Sequence, residues 1–134
     1  MARSFDRAEV ETAFRNYWRI GALEERWAEW PDIFTEDVLY VEHIYGTMRG
    51  RETVRKWIKE LMGENSDIHA VLDWYMIEGD RVVLNMINRY YNPDPNGEEK
   101  YFDFPGITIL NYAGDGLFSY EEDYWDVRLA KEAY

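Results

Sequence analysis

Apolar positions recur at three- and four-residue intervals in the front half of this chain and at two-residue intervals in the back half. Val10, Ala13, Phe14 and Tyr17 form one helical stripe, and Asp6 followed by Glu9 has the spacing of a capping box. These signals predict a first helix over about Arg7–Ile20, with Gly21 supplying the left-handed closing residue. Leu23, Trp27 and Trp30 mark a short second helical segment ended by Pro31. Thr35-Glu36-Asp37 reads as a polar turn, and Val38–Tyr45 as a first strand closed by Gly46. From Gly50 the helical period returns in Val54, Trp57, Ile58 and Leu61, with Gly63 as its stop.

Beyond the polar linker Glu64–Asp67 the period is two. His69–Ile77 and Arg81–Asn92 read as strands joined by a tight Glu78-Gly79-Asp80 hairpin. Pro93 to Gly97 form an exposed loop, and Lys100–Tyr112 is a strand in which Pro105-Gly106 predicts a bulge or kink. Gly114-Asp115-Gly116 turns the chain into a last strand, Leu117–Val127. This order predicts one α+β domain over residues 1–134, a cone-shaped curved antiparallel sheet with the N-terminal helices packed across it. The open end of such a cone is a natural small-molecule pocket.

The last strand is unusually rich in acids and rings. Alternation puts Phe118, Tyr120, Glu122, Tyr124 and Asp126 on one face and Ser119, Glu121, Asp123 and Trp125 on the other. Each face carries two carboxylates, so on either assignment an acid meets aromatic, water-poor surroundings that raise its pKa toward the range useful for proton transfer. The competing reading is a solvated outer face and one structural acid.

Composition narrows the partners. The formal charge of −12 and pI near 4.5 oppose nucleic acid and anionic membranes. The absence of cysteine excludes disulfides, thiolate metal sites and a cysteine nucleophile. Two scattered histidines, His43 and His69, give no metal-ligand spacing, and no Gly-rich phosphate loop is present, so neither metal nor cofactor is expected. With no apolar N-terminal run or membrane-length segment, the cytoplasm is the expected compartment. Aromatics at 17% exceed what a small core needs, which implies an aromatic-lined cavity or interface.

Phe34-Thr-Glu-Asp-Val38, the Tyr40 strand, the Gly50-Arg51 helix start, the Gly114-Asp-Gly116 hairpin and Asp123-Tyr-Trp-Asp126 resemble the nuclear transport factor 2-like superfamily, nearest its SnoaL-like branch of polyketide cyclases and limonene epoxide hydrolases. The resemblance spans nearly the whole chain. It implies a pocket inside the cone and cofactor-free proton chemistry on an apolar substrate. Matched to the epoxide hydrolase type, Tyr40 and Glu42 occupy the first-strand pair and Asp123 the last acid. The middle Arg–Asp pair fails: one register offers Met86 and Asn88, a shift by one offers Ile87 and Arg89.

The expected catalytic kit is therefore Tyr40, Glu42, Asn88 and Asp123, with Glu42 and Asp123 as a carboxylate pair titrating together. For Glu42 the structural alternative is a salt bridge to Arg49 or Arg89. His43 is a further catalytic candidate, with a satisfied surface or subunit-interface histidine as the competing reading, since adjacent strand positions point to opposite faces and it shares an inward orientation with Glu42 only across a bulge. Tyr17, Trp27, Trp30, Tyr45, Trp57, Met86 and Phe104 are the expected substrate contacts. The function expected is a lyase, dehydratase, isomerase or cyclase acting on an aromatic or polycyclic apolar molecule, working as a homo-oligomer through the sheet. Its rivals are a non-catalytic binding or dimerisation module and an epoxide-hydrolase-type enzyme.

Overall fold

The computed structural model describes residues 4–132. Helix α1 (Arg7–Trp18) buries the expected stripe of Val10, Ala13, Phe14 and Tyr17, joined by Trp18. The Asp6 side chain makes no cap hydrogen bond; Glu9 instead accepts the Tyr112 hydroxyl at 2.6 Å, a tertiary contact that replaces the capping box. The helix does not close at Gly21. It continues as a π-helical stretch, Arg19–Leu23, and the left-handed backbone falls later, at Glu25 with φ 53°. Gly21 answers a different demand: a Cβ there would sit 2.7 Å from Trp30 Nε1, so only glycine admits the indole. Pro31 opens rather than ends a 3₁₀ turn, Trp30–Ile33, where its missing N–H costs nothing.

Strand β1 (Phe34–Glu42) begins earlier than its apolar pattern implied and absorbs Thr35-Glu36-Asp37 into an irregularity of its pairing. A turn at 43–45 leads into the short β2 (Gly46–Arg49), which the sequence pattern did not reveal. Helix α2 (Arg51–Glu64) buries Val54 and Ile58 and runs through Gly63; its end is capped by the Asn65 side-chain amide, which donates to the Leu61 carbonyl at 2.9 Å. Then come β3 (Ile68–Glu78), β4 (Arg81–Tyr91), β5 (Tyr101–Gly114) and β6 (Leu117–Trp125), which ends two residues short of the expected Val127, and a short α3 (Val127–Glu132) follows.

The six strands form one curved, unclosed sheet in the order β2-β1-β6-β5-β4-β3. All pairs are antiparallel except β1 with β6, the seam where the front and back halves of the chain meet. Asp73 is the extra residue of a bulge in β3, and β5 slips register against β6 around Tyr112. Bulges bend strands, and these do so where the sheet wraps around the helices. Pro105 makes no bulge: the β4–β5 ladder is unbroken past it, and the β5–β6 ladder starts at Gly106, so its ring sits where one side of β5 has no partner.

The main core lies between the sheet's concave face and α1, α2 and the 3₁₀ turn. Phe14, Phe34 and Phe118 are fully buried in it, each worth about 1.5–3 kcal/mol of transfer free energy. Phe118 departs from the simple alternation of its strand, because β6 slips register against both neighbours between Phe118 and Tyr120. No helix among the described residues is long and apolar enough to cross a membrane.

Candidate active site

Between the helices and the concave face lies a cavity of about 200 Å³. Its floor is β6. Beyond the irregularity at Phe118 the strand alternates cleanly, turning Glu121, Asp123 and Trp125 inward and Tyr120, Glu122 and Tyr124 outward. The two inward acids are therefore neighbours on one face, two residues apart, and close enough for each to bear on the other's titration.

Glu121 is only 2% exposed. Its Oε1 accepts the Tyr17 hydroxyl at 2.8 Å. Burial, and then the charge of Asp123, push its pKa well above the ordinary carboxylate range, so it holds a proton where a solvated glutamate would not. Asp123 sits at the cavity wall, half-buried, with Oδ2 accepting the Tyr40 hydroxyl at 2.5 Å and Oδ1 accepting the Thr108 hydroxyl at 2.7 Å. Burial raises its pKa, while the neighbouring Glu121 carboxyl and the Tyr40 and Thr108 hydroxyls act in the opposite direction. Asp123 receives two hydroxyl donors and Glu121 one, so the negative charge of the pair is better supported on Asp123 and the proton on Glu121. Tyr17 and Tyr40 are held protonated by burial beside these acids, which pushes both phenols well above their usual range.

Glu42 lines the same cavity from β1, 5% exposed. Its Oε1 accepts the Ile44 backbone N–H at 2.8 Å and its Oε2 the Trp125 indole N–H at 2.9 Å. Its pKa is raised, by burial first. The carboxyl group coupled most directly to Asp123 is thus Glu121, two residues away on the same face of β6, and not the expected Glu42. The alternation of β6 was the available signal, since it puts Glu121 on the same face as Asp123. Thr108 and Trp125 were missed as well, and only the pairing Thr108↔Asp123 across β5 and β6 reveals the first.

Of the two registers open for β4, the structure has Met86 and Asn88 on the cavity side. Arg89 points outward, where it forms a two-pronged pair with Asp103 at 2.9 Å and lies over the Tyr101 ring. Tyr17, Trp27, Trp30, Tyr40, Tyr45, Trp57 and Phe104 all line the cavity. His43 is not brought there. It lies on the convex face, exposed, with Nε2 2.6 Å from Glu122 Oε2 and its ring stacked on Tyr124, because no bulge lets it turn inward beside Glu42. His69, in contrast, borders the cavity and pairs with Glu25 at 3.1 Å. Among the described residues no group of three or more His, Asp or Glu side chains is placed to hold a metal ion.

The chain matches the SnoaL-like domain family over residues 11–120, and it belongs to that family. No curated protein matches the sequence. Among solved structures it is similar to a candidate SnoaL-like polyketide cyclase from Jannaschia sp. CCS1, at 19% identity and a TM-score of 0.75 over 99% of this chain and 96% of the other. A candidate ketosteroid isomerase from Kribbella flavida superposes with a TM-score of 0.69 at 20% identity, covering 89% and 78% of the two chains. An LEH-like epoxide hydrolase from M. tuberculosis superposes at 0.70 with 13% identity, covering 94% and 89%. At such identities the likeness is one of fold: the nuclear transport factor 2-like cone.

Proposed function

We propose that this protein is a cofactor-independent enzyme that moves a proton within an aromatic or polycyclic small molecule, as a lyase, dehydratase, isomerase or cyclase does. The observation that carries this reading is the adjacent pair of Glu121 and Asp123, each held by tyrosine hydroxyls, inside a cavity walled by rings. Asp123 acts as the general base, taking a proton from a carbon made acidic by an adjacent carbonyl. The same carboxyl then returns that proton to a neighbouring position or to a leaving oxygen, so that the base is regenerated without a nucleophile or a metal. Glu121, kept neutral by burial, and the Tyr40 and Thr108 hydroxyls hold Asp123 in place and limit how far its pKa rises. Asn88, also on the cavity wall, supplies an amide donor for a substrate oxygen.

The similarity to a candidate polyketide cyclase and a candidate ketosteroid isomerase supports this class of chemistry. Epoxide hydrolysis of the LEH type is disfavoured, since the only Arg–Asp pair of the middle strands faces away from the cavity. A second reading, an assembly module, draws on the convex face, where Trp74, Met76, Val71 and Tyr124 are exposed. We take that face as a contact between two copies of the chain, present alongside the enzyme function rather than in place of it.

The test is exchange in heavy water. Aromatic ketones and phenolic polyketide-like compounds are incubated with the protein, and deuterium uptake beside the carbonyl is followed by NMR. The reading expects at least one compound to exchange about 10²-fold faster with wild type than with Asp123→Asn. Equal rates across the whole panel would remove it.

A further inference from the structure

The cavity has a charge pattern that proton transfer alone does not require. Four acids border it, Glu25, Glu42, Glu121 and Asp123, and among the described residues no lysine or arginine does. Glu121 is buried against the Tyr17 hydroxyl, Asp123 is held by the Tyr40 and Thr108 hydroxyls, and Glu25 pairs with His69 at the rim. That leaves Glu42. It is buried, both its oxygens accept N–H donors, and among the described residues it has no cationic partner; Arg89, one expected partner, is committed to Asp103. A buried carboxylate without a counter-charge is costly, and the cost is relieved when a cation arrives.

Rings surround the same spot. Trp125 donates to Glu42, Tyr45 lies 6.2 Å from the Trp125 ring and 5.8 Å from that of Trp57, and Trp57 packs against Tyr40 at 5.2 Å. Ring faces attract organic cations, and a carboxylate set among rings selects a cation with an apolar coat over a small hydrated ion. We propose that the ligand of this cavity is an aromatic compound bearing an alkylammonium or quaternary ammonium group, whose nitrogen docks at Glu42 between Tyr45, Trp57 and Trp125. This rests on the cavity being the binding site for an aromatic small molecule. It adds that the molecule bears a positive nitrogen and excludes substrates bearing carboxylate or phosphate groups.

Three probes of similar size decide it: phenyltrimethylammonium, its neutral isostere tert-butylbenzene, and benzoate, each titrated into the protein at neutral pH with tryptophan fluorescence and calorimetry. The ammonium should bind at least about tenfold tighter than the isostere, and benzoate weakest. In Glu42→Gln the ammonium should fall to within about threefold of tert-butylbenzene, whose own affinity stays near wild type. Tyr45→Leu, at an exposed ring, should weaken the ammonium about three- to tenfold and the isostere less. Tert-butylbenzene or benzoate binding as well as the ammonium would overturn the proposal and leave the apolar site standing. A preference for the ammonium that survives Glu42→Gln and Tyr45→Leu would overturn the docking position. Binding of no probe would overturn both this proposal and the reading of the cavity as a binding site.

Discussion

The hydroxyl of Tyr40 donates to Asp123 Oδ2 at 2.5 Å, joining two residues 83 positions apart through the parallel seam of β1 and β6. The seam pairs Glu42 with Asp123, so Tyr40 and Asp123 reach each other diagonally across it. That hydrogen bond lowers the pKa of Asp123 against the pull of burial. In Tyr40→Phe the carboxyl should titrate higher, moving the acidic limb of the kcat/KM profile to higher pH and lowering kcat by about 10–10²-fold. A pH–rate profile unchanged from wild type would detach Tyr40 from the chemistry.

Much of this was legible in the chain. The helical stripes and the period-two strands follow directly from which side of each element faces the core, and Tyr40, Glu42, Asn88 and Asp123 reach one cavity because alternation on a strand leaves few choices. What escaped depended on contacts distant in sequence. Strand β2 is four residues long, too short for periodicity to register, and exists only by pairing with β1. Gly21 resembled a helix stop, but its meaning is steric and set by Trp30. Glu121 shared the favoured face with Asp123, yet its role emerges only when Tyr17 closes over it from α1.

Glu121 makes stability depend on pH in a direction that can be worked out. Its folded pKa lies above the ordinary value of 4.5, so above that value the unfolded chain binds fewer protons than the native one. Its contribution is therefore complete below about pH 4.5 and is lost as pH rises toward its folded pKa. Glu121→Gln keeps an acceptor for Tyr17 and should flatten this loss, giving a Tm above that of wild type on the alkaline side. Parallel Tm–pH curves for the two proteins would show that Glu121 is ionised in the fold.

Gly21→Ala pushes a methyl against the Trp30 indole, which also lines the cavity. Overpacking of this kind costs about 1–3 kcal/mol, and chemical denaturation should show it together with weakened binding of apolar ligands. A variant as stable as wild type would mean that the π-helical stretch relaxes freely around the added methyl.

His43→Ala should leave turnover within about threefold of wild type, because its ring lies on the convex face, paired with Glu122. Its effect belongs to association: sedimentation should give wild type about twice the 16.1 kDa of one chain, with the variant dissociating more readily. Turnover lost in His43→Ala while mass is unchanged would move the chemistry outward.

The account depends most on Glu121 and Asp123 titrating as a pair, and side-chain carboxyl ¹³C NMR reads that without knowledge of the substrate. On titration Glu121 should lose its proton well above the ordinary carboxylate range and after Asp123, and each signal should respond when the other group changes state. Two carboxyls titrating independently near pH 4, both ionised at neutrality, would contradict it.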